Sequence, residues 1–316
     1  MASRKLIIGC GYLGRRVARR WIDQGHTVFA LTRSTERAAE FQASGIAPIV
    51  GDVTDPSSLA VIPDVETVLY AVGLDRASGK SMHEVYFGGL ENVLNRVAGK
   101  VDRFLYISST SVYGQNDGEW VDESSECRPD SENGQVCLEA EQLLQSRITA
   151  ANILRLAGIY GPGRLVARVA ALRAGLVLEG NPDALLNLIH VDDAVAAILA
   201  CERIANPGAT YIVCDDQPTR RLEYYSLLAS LIGAPKPRSS VLPPLARGGQ
   251  GGSGEVASSA LNSGSNLNKR CSNRRLHDEL HVTLRYPTVR IGLPMAMTVR
   301  ADQFSPPSQR GAGRVG

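Results

Sequence analysis

The chain lacks the features that would assign it to several large classes of protein. No apolar run approaches the roughly 18 to 20 residues needed to cross a bilayer, and the stretch Leu6 to Ile8 is too short for a signal peptide. Neither sign of charge prevails. The 34 Lys and Arg stand against 32 Asp and Glu, so nothing global points to nucleic acid or an acidic membrane as partner. Six cysteines (Cys10, Cys127, Cys137, Cys201, Cys214, Cys271) make no CxxC and no zinc spacing, the usage of a reducing compartment. His277 and His281 lie one helical turn apart, yet Asp278 stands where HExxH needs Glu, and no metal is expected. Ser108, Ser109 and Ser111 lack the Gly-x-Ser-x-Gly elbow of a hydrolase. There is no internal repeat. These exclusions leave a soluble, cytoplasmic chain with a sizeable core, large enough for one domain and a smaller lobe.

What is present is concentrated near the start. Leu6-Ile7-Ile8-Gly9-Cys10-Gly11-Tyr12-Leu13-Gly14 combines a short apolar strand, a glycine turn and the opening of a helix. Leu13, Val17, Trp21 and Ile22 recur at helical spacing, Gly25 stops that helix, and Thr27 to Leu31 forms a second strand. The βαβ context turns a weak GxGxxG match into a dinucleotide site. Gly9 allows the tight turn, Gly11 lets a pyrophosphate approach the backbone, and Gly14 lets the helix lie on the strand. Tyr12 and Leu13 belong to the same cradle, where the helix N-terminus offers N–H groups and the positive end of its dipole.

The end of the second strand bears on the choice of cofactor. NAD sites place an acidic residue about 20 positions past the glycines. Here the positions hold Thr32, Arg33 and Ser34. An arginine makes paired hydrogen bonds to phosphate. The expectation is NADP in preference to NAD, with Arg33 on the 2′-phosphate and Ser34 or Thr32 assisting.

Strand and helix patterns then alternate. Strands are expected at Ile46 to Val50, Val65 to Val72, Arg103 to Ser108, Ala151 to Leu156 and Tyr211 to Cys214. Helices are expected at Met82 to Ala98, Cys137 to Arg147, Val191 to Ile204, Leu222 to Ile232 and Ser272 to Leu280. The alternation predicts an α/β fold, a doubly wound (Rossmann) parallel sheet with a smaller C-terminal substrate lobe. Residues 1–160 are expected to form the NAD(P)-binding domain and 161–297 a mixed lobe partly interwoven with its sheet. The Gly/Ser-rich stretch 238–268 has the composition of a flexible segment, and 298–316 that of a disordered tail.

With these motifs in place, the chain resembles the extended short-chain dehydrogenase/reductase superfamily, which includes nucleotide-sugar epimerases and dehydratases. The match covers about 4–235 and, more faintly, 269–293. It rests on the glycine turn, on Asp52, on Ile107-Ser108-Ser109-Thr110-Ser111-Val112-Tyr113-Gly114, on Arg155 to Gly163, and on Ile189-His190-Val191-Asp192-Asp193. The resemblance implies that Asp52, with Val53 beside it, meets the adenine, and that Ser109 is the catalytic serine. It departs where the family carries Tyr-x-x-x-Lys, since Asn133 and Cys137 occupy those positions. Asn has no titratable proton and Cys offers no cation, so the usual proton relay is missing. This resembles the atypical branch that keeps the cofactor fold without that pair. Tyr86, where relatives place an asparagine, is the first candidate for a substitute donor, ahead of Tyr113, Tyr160 and Cys137.

Two readings follow. One is an NAD(P)-dependent oxidoreductase or epimerase/dehydratase-like enzyme acting on a carbonyl or hydroxyl compound, nucleotide sugars among them. The other is a non-catalytic NAD(P)-binding sensor or partner protein. A small-molecule substrate is expected, with no nucleic acid or membrane partner. Family members often pair as homodimers through a four-helix interface.

Overall fold

The computed structural model describes residues 2–240 and 268–298. Both segments whose composition suggested flexibility lie mostly outside the described residues. Apolar runs that are buried on both sides form the central sheet. Numbering its strands alone, β1 is Arg4–Ile8, β2 Thr27–Thr32, β3 Ala47–Val50, β4 Thr67–Tyr70, β5 Arg103–Ser109, β6 Asn152–Leu156 and β7 Thr210–Val213. All pair in parallel, in the spatial order β7-β6-β5-β4-β1-β2-β3. The chain starts in the middle, winds outward to β3, then crosses back to β4. That reversal between β1 and β4 is the point where open α/β sheets bind ligands, beyond the strands' carboxyl ends.

Alternation along each strand fills two cores. Ile7, Leu69, Leu105 and Leu154 face helices α1 (Gly14–Asp23) and α6 (Val191–Ile204), with Val17, Trp21 and Ile198. Leu6, Ile8, Val68, Tyr70, Phe104 and Ile153 face α3 (Gly89–Val97) and α4 (Glu132–Arg147), with Leu90, Val93, Ala140 and Leu144. Each fully buried large side chain contributes about 1.5–3 kcal/mol of hydrophobic stabilisation. At the sheet's amino edge, Glu202 of α6 accepts from the Trp21 indole at 2.7 Å and pairs with Lys5.

A third core lies beyond the carboxyl edge. Tyr160, Leu165, Leu172, Leu178, Leu188, Tyr224, Leu228 and Leu293 join α5 (Val166–Arg173), α7 (Arg221–Leu231) and, after the short α8 (Arg274–Asp278), α9 (Val289–Thr298). Short strands tie this region to the rest. Gly158–Tyr160 pairs with Leu188–His190, and Trp120–Val121 with Arg270–Cys271. The expected helix from Met82 to Ala98 contains a π-helical turn, Glu84–Gly88, and α4 begins earlier than the expected Cys137 because Ser131 caps it by accepting from the Gly134 N–H.

Candidate active site at the carboxyl edge of the sheet

A cavity of about 660 Å³ opens over the carboxyl ends of β1, β2 and β4. It brings together Gly9, Gly11, Tyr12, Leu13, Thr32, Arg33, Asp52 and Val53, all singled out from the sequence. The glycines divide the work. Gly9 has φ 91°, and a Cβ there would run into the Ala71 carbonyl, because the ends of β1 and β4 touch. A Cβ on Gly14 would lie 2.9 Å from the Gly9 oxygen, so the helix packs on the turn. A Cβ on Gly11 would meet nothing within 4 Å. The backbone there is bare toward open space, as close approach by a pyrophosphate requires. No side chain caps α1 and its first turn holds no acid; the Arg15 and Arg16 N–H groups donate to the Gly11 and Leu13 carbonyls at 3.0 Å each, and the positive end of the helix dipole is not opposed by a carboxylate of that turn. These residues fit a dinucleotide.

Gly14 and Ser34 do not line the cavity. Ser34 caps α2 (Thr35–Ala43), accepting from the Arg37 N–H at 3.2 Å and donating to Glu36 at 2.6 Å. Thr32 accepts from the Ser34 N–H at 3.2 Å. Arg33 Nη2 donates to Asp75 at 2.7 Å. Asp52 accepts from the Thr54 N–H and hydroxyl at 2.9 Å each and from Lys80 at 2.9 Å. Burial works to raise the Asp52 carboxyl, but Lys80 and Thr54 outweigh it and hold it below the usual range. Arg37, Thr54, Asp75, Lys80 and Arg164 also line the cavity and were missed. Arg37 had a signal, lying one turn beyond Arg33. The others arrive on loops, with no periodicity to betray them.

Tyr12 joins this cradle to the third core. Its hydroxyl donates to the Pro162 carbonyl at 2.9 Å, and its ring lies between the guanidinium groups of Arg16 at 4.1 Å and Arg164 at 5.0 Å.

The groups around the end of β5 are neutral. Ser109 ends β5, and its hydroxyl accepts from the Ser111 N–H at 3.1 Å. Asn133 donates to the Ser111 hydroxyl at 2.8 Å. Burial pushes the Cys137 thiol up to about 11, against a hydrogen bond with Ser111. The side chains of Asn133 and Cys137, expected from the resemblance to stand where the family has Tyr and Lys, therefore both meet Ser111. Tyr86 accepts from the Leu74 N–H at 3.0 Å, and Leu74 lines the cavity. Neither Ser109 nor Tyr86 lines it, although Ile107 of β5 does. Burial raises the Tyr86 phenol above its ordinary value, the Leu74 N–H opposing and Cys137 adding. Tyr113 and Tyr160 are fully buried in the packing. Tyr113 accepts from Arg155 at 2.6 Å, and Arg155 grips Glu141 of α4 with contacts of 2.6 to 3.2 Å. Glu141 also accepts from Ser108, so a buried ion pair underlies this end. His190 caps α6 by accepting from the Asp192 N–H at 3.2 Å.

A parallel sheet with this strand order and a bare glycine turn at its switch point defines a dinucleotide-binding protein. The chain belongs to the NAD dependent epimerase/dehydratase family, whose model matches residues 6–214. It is similar to a 2-alkyl-3-oxoalkanoate reductase of Stenotrophomonas maltophilia, 30% identical over 254 residues, spanning 72% of this chain and 75% of the relative. A functionally unknown conserved protein from Silicibacter pomeroyi is similar in structure, with TM-score 0.74, 29% identity and coverage of 94% and 98% of the two chains. A dTDP-glucose 4,6-dehydratase from Bacillus anthracis, solved with NAD, shares the fold at TM-score 0.73 and 15% identity over 93% and 95%. The chain is thus an NAD(P)-binding enzyme of the oxidoreductase and epimerase type within the extended short-chain dehydrogenase/reductase superfamily. These relatives do not favour the sensor reading. Among the described residues, no helix is long and apolar enough to cross a membrane.

Proposed function

We propose that the protein is a cytoplasmic, NADP-preferring reductase of a carbonyl compound. The observation that carries this reading is the pair Arg33 and Arg37 on the cavity wall, with no carboxylate at the end of β2. Gly9, Gly11, Tyr12, Leu13 and Gly14 would hold the pyrophosphate, Asp52 and Val53 the adenine, and Arg33 the 2′-phosphate, with Thr32 and Ser34 bracing that loop. The reduced cofactor, when bound, supplies a hydride. The chain must supply the proton for the carbonyl oxygen. Ser109 would donate a hydrogen bond to that oxygen. Tyr86 would pass the proton, because its oxygen already accepts from Leu74 and its own O–H is left to give. A raised phenol stays protonated at neutral pH, which suits an acid.

Residues 1–160 form the cofactor half in this reading, and 161–297 supply the substrate lobe. The turn that lends Arg164 to the cavity also lends Gly163 and Leu165 to a neighbouring cleft with Val166, Val169, Ala170, Ala296 and Met297. Apart from Arg173, that lining is apolar and suits the alkyl part of an oxo acid better than a sugar, with Arg164 at the joint to meet its carboxylate. The reductase from Stenotrophomonas maltophilia, named for 2-alkyl-3-oxoalkanoates, points the same way. Pairing as a homodimer remains part of the proposal. The test is turnover of NADPH with a panel of 3-oxo acids and nucleotide sugars. Oxidation of NADPH by oxo acids supports the reading, and turnover only with nucleotide sugars and NADH overturns it.

A further inference from the structure

The adenosine end of the cavity carries two ion pairs that reach the same loop. Arg33, at the end of β2, meets Asp75 at 2.7 Å, and Asp52, after β3, meets Lys80 at 2.9 Å. Both partners belong to the segment that follows β4, and all four residues line the cavity. Asp75 is positioned by its own loop. Its Oδ1 accepts from the Ala77 N–H at 3.1 Å, heading the turn Arg76–Ser78, while the Ser78 hydroxyl donates to its carbonyl at 2.6 Å. Its Oδ2 is then left facing Arg33. The carboxylate therefore has one partner, the Ala77 N–H, that does not depend on Arg33.

That placement sets two opposed groups against one ribose position. A phosphate on the ribose needs the guanidinium fork, and Asp75 both occupies one of its donors and repels the phosphate. A free ribose hydroxyl has no quarrel with the carboxylate and can donate to it, as it does to the acid of an NAD site. We propose that Asp75 is a specificity-determining residue that opposes Arg33. It holds down affinity for the phosphorylated dinucleotide and supports the unphosphorylated one, so that the ratio of the two is a balance between this acid and that base. The proposal rests on the reading that the cavity holds a dinucleotide with its adenosine ribose at Arg33.

The experiment is calorimetric titration of the purified protein and of Asp75→Asn with NADPH and NADH. Asn keeps an oxygen for the Ala77 N–H and removes the charge. A unit charge beside a phosphate of about −1.5 to −2 at this exposed site corresponds to about a tenfold change in affinity. The expected result is a rise of about tenfold in the NADPH-to-NADH affinity ratio, smaller at high salt. Asp75→Ser, which can still cap the turn, gives the same rise and serves if the first variant does not fold. A ratio unchanged within about twofold, or moved toward NADH, overturns the proposal and leaves dinucleotide binding standing. An unmodified protein that binds neither nucleotide overturns both. An unmodified protein with no preference for NADPH, whose ratio still rises in Asp75→Asn, sinks the NADP preference and keeps this inference.

Discussion

The cavity wall and the cluster around Ser111 use opposite chemistry. The wall carries a mesh of charges, Arg33 with Asp75 and Asp52 with Lys80, on side chains that water can reach. The cluster is built from hydroxyls, an amide and a thiol around Ser111, outside the cavity lining and over a buried Glu141–Arg155 pair. Exposed pairs contribute little to stability, about 0–1 kcal/mol, so the wall is free to specialise in recognition. The buried pair is different. Removing one partner strands a charge in the interior, so the cluster rests on a foundation that cannot be altered piecemeal. Under the proposed function, recognition and proton chemistry fall to these separate groups of residues, and each can be probed without disturbing the other.

The sharpest test of that separation is Glu141→Leu. It leaves Arg155 buried without its partner and is expected to lower unfolding stability in urea by about 3–5 kcal/mol. Arg155→Met added to it restores most of the loss. A loss below about 1 kcal/mol would place the pair among exposed ones and erase the contrast. Tyr86→Phe comes next, with turnover falling about 10²-fold or more and NADPH affinity unchanged. Should turnover survive intact, the proton comes from elsewhere. Arg33→Ala is expected to weaken NADPH by about 1.5–3 kcal/mol in titration, with NADH and melting temperature unmoved. An equal loss for both nucleotides would mean that Arg33 does not read the phosphate. Last, the pH profile should be flat near neutrality. Tyr86 has a raised value and keeps its proton there, so reduction falls only on the alkaline side of the ordinary tyrosine range. A fall at about pH 6–8 would identify a donor of histidine type instead.

Much of the cofactor half was legible because local rules and tertiary demands coincide there. Gly9 must have positive φ and no Cβ, and a short apolar strand must precede it, so residues in a row carry the signal. Helix α6 was legible end to end, since Val191 to Ile204 is amphipathic and stops at a short loop. The start of α4 was not, because Gly134 weakens the helical pattern and only the Ser131 cap marks the beginning. Helix α9 escaped as well, with Pro294 inside it breaking the pattern that its packing sustains. Asp75, Lys80 and Arg164 could not be foreseen. They reach the cavity from loops after β4 and β6, and only the finished fold brings them opposite Arg33, Asp52 and Tyr12.

Tyr12 has one more consequence, and it concerns timing. A single ring is held by Pro162 and two guanidinium groups while its backbone belongs to the pyrophosphate cradle. Whatever settles the cradle settles the turn that borders the substrate side. Under the proposed function, a coenzyme seated in the cradle would bear on that turn through Tyr12, and steady-state kinetics are expected to follow a compulsory sequence with the nucleotide leading; a random order would break this link.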